Sequence, residues 1–149
     1  MAGWSASTST PYIPWRRRSN KALRPFSGGV CGWVFCAKNW QLARTNRLVH
    51  SHHSQVGENL AMFRSSHHEP PPPAAVVERW YRKINDYTFT QPGFQAHTGH
   101  FTQVVWKASH ALGIGMAQAG DGTWYIVGHY SPPGNITGHF PANVLPPTP

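Results

Sequence analysis

Residues 101–130 read FTQVVWKASHALGIGMAQAGDGTWYIVGHY and contain three apolar, β-rich runs. We predict strands over 101–106, 111–118 and 123–130, because Val, Ile, Tyr and Trp are favoured in strands. An Asp-Gly pair at 121–122 separates the second run from the third. Such a pair is typical of a short hairpin, whose primed turn needs positive φ. This part of the chain therefore predicts an antiparallel meander.

Two helical patterns precede the meander. Residues 40–50 (WQLARTNRLVH) and residues 74–87 (AAVVERWYRKINDY) carry side chains at the three- to four-residue spacing of a helix. Within the second pattern, Glu78 and Arg82 are four residues apart and can form an ion pair. The proline run at 70–73 interrupts helical structure between the two. Helices before and beside an antiparallel meander place the chain in the α+β class.

The composition indicates one folded domain. The chain has 149 residues, of which 40% are hydrophobic, and seven are Trp. That content argues against a wholly disordered chain. No apolar run approaches the roughly 20 residues that cross a bilayer. Two cysteines exclude a scaffold built on several disulfides.

The positive charge is confined to one part of the chain. The net charge is +8, and residues 1–57 hold eight of the thirteen Lys and Arg but none of the five acids. Because recognisable helical and strand patterns begin at Trp40, we divide the chain into a basic, unpatterned segment over 1–39 and a domain over 40–149. The segment is expected to be disordered or to derive from a mispredicted first exon, and Cys31 and Cys36 within it to be reduced thiols. The neutral remainder argues against nucleic acid as a partner.

Few residues match a known catalytic or ligand-binding motif. The sequence has no nucleophile elbow, phosphate-binding loop or dinucleotide fingerprint. Ten His are present; His50 ends a helical pattern and His100 begins a predicted strand. With Glu58, the first acid of the chain, they could hold zinc and leave a fourth position open. Histidines with purely structural roles are the competing interpretation. Asn135 begins a glycosylation sequon, but after Pro-Gly it is better explained as a turn residue.

Two longer motifs point to a family. GHFTQVVWKAS (99–109) and YIVGHYSPPGNI (125–136) resemble the two signatures of the CAP superfamily, which contains cysteine-rich secretory proteins, antigen five and plant pathogenesis-related proteins. GENLA (57–61) is also similar, and the resemblance is greatest to the Golgi-associated plant pathogenesis-related group. It covers about residues 40–149. It implies an α-β-α sandwich, here lacking the family's usual first helix. Gly128 stands where the family usually has Cys, as in the disulfide-poor, Golgi-associated branch.

The resemblance also implies a cleft lined by two His and two acids. The matching positions are His50, Glu58, Lys83 and His100, so a Lys replaces one acid. A protonated Lys has no lone pair for a metal and repels a dication. We therefore expect zinc to bind only weakly to His50 and His100, and a Lys83→Glu exchange to tighten it. Lys83 is expected to pair with Glu58 or to extend to solvent.

The functional expectation follows from the same resemblance. It implies a non-catalytic protein that binds lipids or sterols, anionic membrane surfaces and protein partners, including other copies of itself. The alternative is a zinc-dependent hydrolase with His50 and His100 as ligands and Glu58 as general base. An intracellular, membrane-peripheral and Golgi-like location is expected, because no convincing signal peptide is found; an extracellular location is the alternative.

Overall fold

The computed structural model describes residues 13–17, 23–25, 41–45, 47–51, 55–64 and 69–147. Its strands form one antiparallel sheet in the order β2-β1-β4-β5-β3. Their bounds are β1 Ile13–Arg17, β2 Leu23–Pro25, β3 Gly57–Arg64, β4 Ala111–Gln118 and β5 Thr123–Ser131. The helices are α1 over 41–45, α2 Pro73–Tyr81, α3 Gly99–Val105 and α4 Phe140–Asn143, with a 3₁₀ helix over Arg82–Asp86 after α2.

Helices cover both faces of the sheet. Successive side chains of a strand point to opposite faces, and on β3 this separates Leu60 from Ala61. Leu60 packs in a cluster with Leu42 of α1 and Val127 of β5. Ala61 packs in a second cluster with Val76 and Trp80 of α2 and Ile126 of β5. The predicted α+β class and α-β-α arrangement are confirmed by these two cores.

The prediction of a strand over 101–106 is wrong, because Gly99–Val105 is the helix α3. Its Phe101 is almost fully buried and packs against Tyr87 at a ring-centre distance of 5.5 Å. The Thr102 hydroxyl lies 3.3 Å and 3.2 Å from the carbonyl oxygens of Thr98 and Gly99. Strand preference depends strongly on packing context, and here the burial of one helical face outweighs it. His100 therefore lies in the first turn of a helix.

The two predicted helices, over 40–50 and 74–87, differ from the structure at their ends. In the first, helical structure covers 41–45, whereas residues 47–50 are not helical. The second is α-helical to Tyr81 and continues as a 3₁₀ helix to Asp86. Its predicted ion pair is present, with 3.2 Å between Arg82 Nε and Glu78 Oε1.

The hairpin between β4 and β5 is confirmed, but its turn differs from the expected one. Of its residues only Gly122 has a positive φ, 83°, and its amide donates to the carbonyl of Ala119. The amide of Ala119 in turn donates to the carbonyl of Thr123. A turn followed by a left-handed glycine is the three-residue hairpin connection with a bulge. Asp121 instead accepts a hydrogen bond from the amide of Thr123.

The N-terminal segment contributes β1 and β2, and β1 pairs with β4 from Ile13 to Arg16. Cys31, Cys36 and the remainder of 1–39 lie outside the described residues, as does any first helix within them. At the other end of the chain, α4 ends at Asn143. Val144 after it is buried against Phe140 and Trp106.

Candidate functional site

The carboxylate of Glu58 is the centre of a buried hydrogen-bond group. Its side chain is 6% exposed. One oxygen accepts hydrogen bonds from His50 Nδ1 at 2.9 Å and from the amide of Ser51 at 2.8 Å. The other accepts from the Ser51 hydroxyl at 2.7 Å and from His129 Nε2 at 2.9 Å. Four donors from three residues thus surround one carboxylate.

These donors keep Glu58 ionised. Burial alone would raise its pKa, but the hydrogen bonds from His129, His50 and Ser51 hold the pKa well below its usual range. An ionised carboxylate can only accept hydrogen bonds. His50 must therefore carry a proton on Nδ1, and in its neutral form it keeps a lone pair on Nε2.

Sequence patterns alone did not single out His129, which lies in the second signature. Strand register explains its position, since Glu58 on β3 stands directly opposite His129 on β5. Residues opposite one another across an antiparallel pair interact directly. The His129 side chain is 2% exposed, whereas that of His50 is 64% exposed. Glu58 therefore joins a buried imidazole to one that faces solvent.

A cavity of about 270 Å³ lies beside this group. Its lining includes Leu60 and Ala61, which point to opposite faces of the sheet, so the cavity lies along the outer edge of β3. Most of its lining is apolar, and two cations are included; the lining residues are Leu48, Leu60, Ala61, Met62, Arg79, Trp80, Lys83 and His100.

Two side chains of α2 fasten that helix to the edge of β3. Trp80 Nε1 donates to the carbonyl oxygen of Leu60 at 3.2 Å, and the Arg79 guanidinium donates to that of Met62 at 3.0 Å. The guanidinium also lies 4.9 Å from the centre of the Phe63 ring. Arg79 and Trp80 therefore form a fixed wall of the cavity.

Lys83 and His100 complete the cavity from the 3₁₀ helix and α3. Lys83 pairs with Asp86 at 3.5 Å rather than with Glu58, and its side chain is 45% exposed. The ring centres of His100 and Trp80 are 6.4 Å apart. Burial lowers the pKa of His100, and the charges of His50, Lys83 and Arg79 lower it further. Arg79 and Lys83 together make this side of the cavity electropositive.

The four positions implied by the resemblance divide between two neighbouring places. His50 and Glu58 belong to the carboxylate group with Ser51 and His129, whereas Lys83 and His100 line the cavity. Within the described ranges, no three His, Cys, Asp or Glu side chains are placed to share a metal ion. Both oxygens of Glu58 are already occupied by donors. The residues present therefore fit a zinc centre poorly.

A polar network fixes the second signature against α3. Gln103 is 2% exposed; its carbonyl oxygen accepts from the amide of Gly134, and its amide group donates to Ser109. Asn135 has a φ of 56°, accepts from Thr102 at 2.6 Å and donates to the carbonyl of Gly99 at 2.9 Å. Asn135 thus has the predicted role of a turn residue held by side-chain hydrogen bonds.

Comparison with known proteins identifies the family. The sequence profile of the cysteine-rich secretory protein family, CAP, matches residues 17–130. The chain belongs to the CAP family. Over 111 residues it is 46% identical to Golgi-associated plant pathogenesis-related protein 1 of Homo sapiens, covering 71% of this chain and 70% of that protein. Over 104 residues it is 39% identical to Protein PRY2 of Saccharomyces cerevisiae, covering 68% of this chain and 29% of PRY2.

Solved structures agree on the fold of this CAP chain. A crystal structure of NaASP2 with Zn²⁺ matches with a TM-score of 0.53 and 24% identity, over 70% of this chain and 60% of that one. BmVAL-1 matches with a TM-score of 0.50 and 24% identity, over 70% of this chain and 58% of that one. The profile match begins at residue 17, within the basic segment over 1–39. In the part of the chain that the structure describes, no helix has the length and apolar character to span a membrane.

Proposed function

We propose that this CAP domain is a non-catalytic binding module whose edge cavity takes the apolar chain of a lipid. The observation that carries the proposal is the cavity itself, whose mostly apolar wall is formed by Leu60, Met62 and Trp80. Ligand sites are concave, mainly apolar and marked by a few polar groups. Here the polar groups are Arg79, Lys83 and His100.

The size of the cavity restricts what part of a lipid can enter. Its volume of about 270 Å³ lies just below the roughly 300–1,000 Å³ of pockets that enclose a drug-sized ligand. A single acyl chain suits this volume better than a complete sterol. The rest of the lipid would remain outside, which is compatible with a protein that works at a membrane surface. The Golgi-associated name of its human relative supports such a peripheral location.

A zinc-dependent hydrolase built on His50, His100 and Glu58 has less support. The solved structure of NaASP2 is one with Zn²⁺, but that is a property of NaASP2. In the present chain, Glu58 is engaged by four hydrogen bonds and Lys83 adds a positive charge beside His100.

Octanol binding to the full chain, followed by NMR, tests the proposal. Leu48 lines the cavity but is 44% exposed, so a Leu48→Trp variant can fill the space without disturbing the core. Leu145 is 52% exposed and does not line the cavity, so Leu145→Trp is the matched control. We expect Leu48→Trp to lose octanol binding and Leu145→Trp to keep it. A wild-type chain that binds no octanol, or equal binding by both variants, would refute the proposal.

A further inference from the structure

The second signature contains a sequence that N-linked glycosylation recognises. Residues 135–137 read Asn-Ile-Thr, which matches the Asn-X-Thr acceptor on whose asparagine a bulky glycan is placed. Ile136 and Thr137 are exposed, whereas Asn135 is only partly exposed. Whether the folded domain can carry a glycan therefore depends on what surrounds Nδ2, the side-chain nitrogen of Asn135.

The side-chain amide of Asn135 is bonded to the first turn of α3 through both of its polar atoms. The Thr102 hydroxyl donates to Oδ1 at 2.6 Å, and Nδ2 donates to the carbonyl oxygen of Gly99 at 2.9 Å. These two partners are themselves neighbours, with 3.2 Å between Thr102 Oγ1 and the Gly99 oxygen. Because the partners lie side by side, the Nδ2 proton that Gly99 accepts is the one on the Oδ1 side of the amide.

Glycan transfer would place a sugar at the position of that proton. The reaction forms a bond between Nδ2 and the anomeric carbon of the sugar. The bond from that carbon to a lipid diphosphate breaks, the diphosphate leaves with the electron pair, and one Nδ2 proton is released. The product is a secondary amide, which is planar and trans like a peptide, so the substituent on its nitrogen lies on the same side as the oxygen. The cis form is strongly disfavoured. The first sugar ring would therefore collide with the Gly99 carbonyl.

The loop that precedes Asn135 cannot easily move to make room for a sugar. The Ser109 hydroxyl donates to the carbonyl oxygen of Pro132 at 2.8 Å, and the amide of Gly134 donates to the Gln103 side chain at 2.9 Å. Packing at this point is close, since a Cβ on Gly134 would lie 2.6 Å from Gln103 Nε2. A glycan on Asn135 therefore requires the loop to leave α3.

We infer that glycosylation of Asn135 and the folded state of this domain exclude one another, so that residues 135–137 are a modification site only before the loop packs on α3. Folding closes the site, because both polar atoms of the Asn135 amide are then bonded to Thr102 and Gly99. A chain that receives the glycan first cannot form these two hydrogen bonds. The inference is independent of what the edge cavity binds.

The first test presents the acceptor to a purified oligosaccharyltransferase in two conformational states. The folded full chain and a peptide of residues 130–141, which serves only as an unfolded acceptor, are each incubated with the enzyme and a lipid-diphosphate oligosaccharide. We expect transfer to the peptide and at least about tenfold slower transfer to the folded chain, which must first break a hydrogen bond. Equal rates would overturn the inference. A peptide that is not modified would also overturn it, since Asn135 would then be no acceptor.

The second test follows a glycan that is attached before folding. The full chain is fused to a signal peptide and expressed in the secretory pathway of a eukaryotic host, where transfer occurs on the nascent chain. Thr137→Ala removes the acceptor without changing Asn135. The matched control combines Thr137→Ala with Asp86→Asn, which moves the acceptor to residues 86–88, where Asp86 and Thr88 are both exposed.

Limited proteolysis of the glycosylated chains distinguishes the two glycan positions. We expect chains with a glycan on Asn135 to be cut at least about tenfold faster than the glycosylated control, because cleavage follows the population of opened chains. Chains with Thr137→Ala alone should be as resistant as the control. Wild-type chains that remain unmodified and resistant would support the inference, since folding would then have closed the site first. Glycosylated wild-type chains that are as resistant as the control would overturn it.

Discussion

Replacement of Glu58 by Gln should destabilise the fold strongly. Each oxygen of the carboxylate accepts two hydrogen bonds. In Gln one of these oxygens is replaced by an NH₂ group, which cannot accept hydrogen bonds from the two donors that face it. Two hydrogen bonds to a charged group are then lost, each of about 1.5–3 kcal/mol. Because His50 is mostly exposed and can form a hydrogen bond with water instead, we expect a loss at the lower end of this range. The free energy of unfolding should decrease by about 3 kcal/mol. Urea denaturation at pH 7, followed by circular dichroism, measures this loss.

The pH dependence of the stability difference between the wild type and Glu58→Gln provides a second check. The pKa of Glu58 is lower in the folded chain than its ordinary value of 4.5, so the folded state binds fewer protons than the unfolded state below pH 4.5. The stabilisation is fully present above that pH and falls by about 1.4 kcal/mol per pH unit below it. The difference between the wild type and Glu58→Gln should therefore narrow as the pH falls from 6 to 3.5.

An exposed carboxylate serves as the control. Glu78 pairs with Arg82 on the surface of α2, where the two side chains are 56% and 74% exposed. Glu78→Gln should change the free energy of unfolding by less than about 0.5 kcal/mol. The reasoning about Glu58 is refuted if Glu58→Gln costs no more than Glu78→Gln, or if its cost is the same at pH 6 and pH 3.5.

Two further predictions concern the second signature. Gly134→Ala would place a Cβ 2.6 Å from Gln103 Nε2 and 2.8 Å from Trp106 Cγ, so we expect a loss of about 1–3 kcal/mol. Gly120→Ala, which meets no atom within 4 Å, should be nearly neutral, and equal urea midpoints for both variants would contradict this explanation. Asn135→Ala should cost about 1–2 kcal/mol more than Asn135→Gly, because only the alanine is strained at a φ of 56°. Urea denaturation of both should show this difference, and equal stabilities would contradict the reasoning.

The fold class was predictable because the apolar runs of β4, β5 and α2 are long. The helix α3 was not, since its Phe101, Thr102 and Val104 resemble a strand and only their packing against the surrounding core favours a helix. β3 was not assigned either, because GENLA is short of β-branched residues. Its conformation depends on pairing with β5, which lies about 65 residues later in the chain.

The candidate site was likewise predictable only in part from the sequence. Residue patterns led to His50, Glu58 and His100, and motif similarity added Lys83; all four lie in or beside the cavity and its neighbouring carboxylate group. His129 could not be found in this way. Its contact with Glu58 depends on the register between β3 and β5, and a shift of one residue would send the two side chains to opposite faces.

The attachment of α2 to β3 also has a consequence for solubility. Among the described strands, β3 is the last of the sheet, and a long unprotected edge strand is a template for intermolecular pairing and aggregation. Trp80 and Arg79 occupy the carbonyls of Leu60 and Met62 on this strand, which are then unavailable to the amides of a neighbouring molecule. The same two side chains that form a wall of the edge cavity thus protect the sheet from adding strands of another chain.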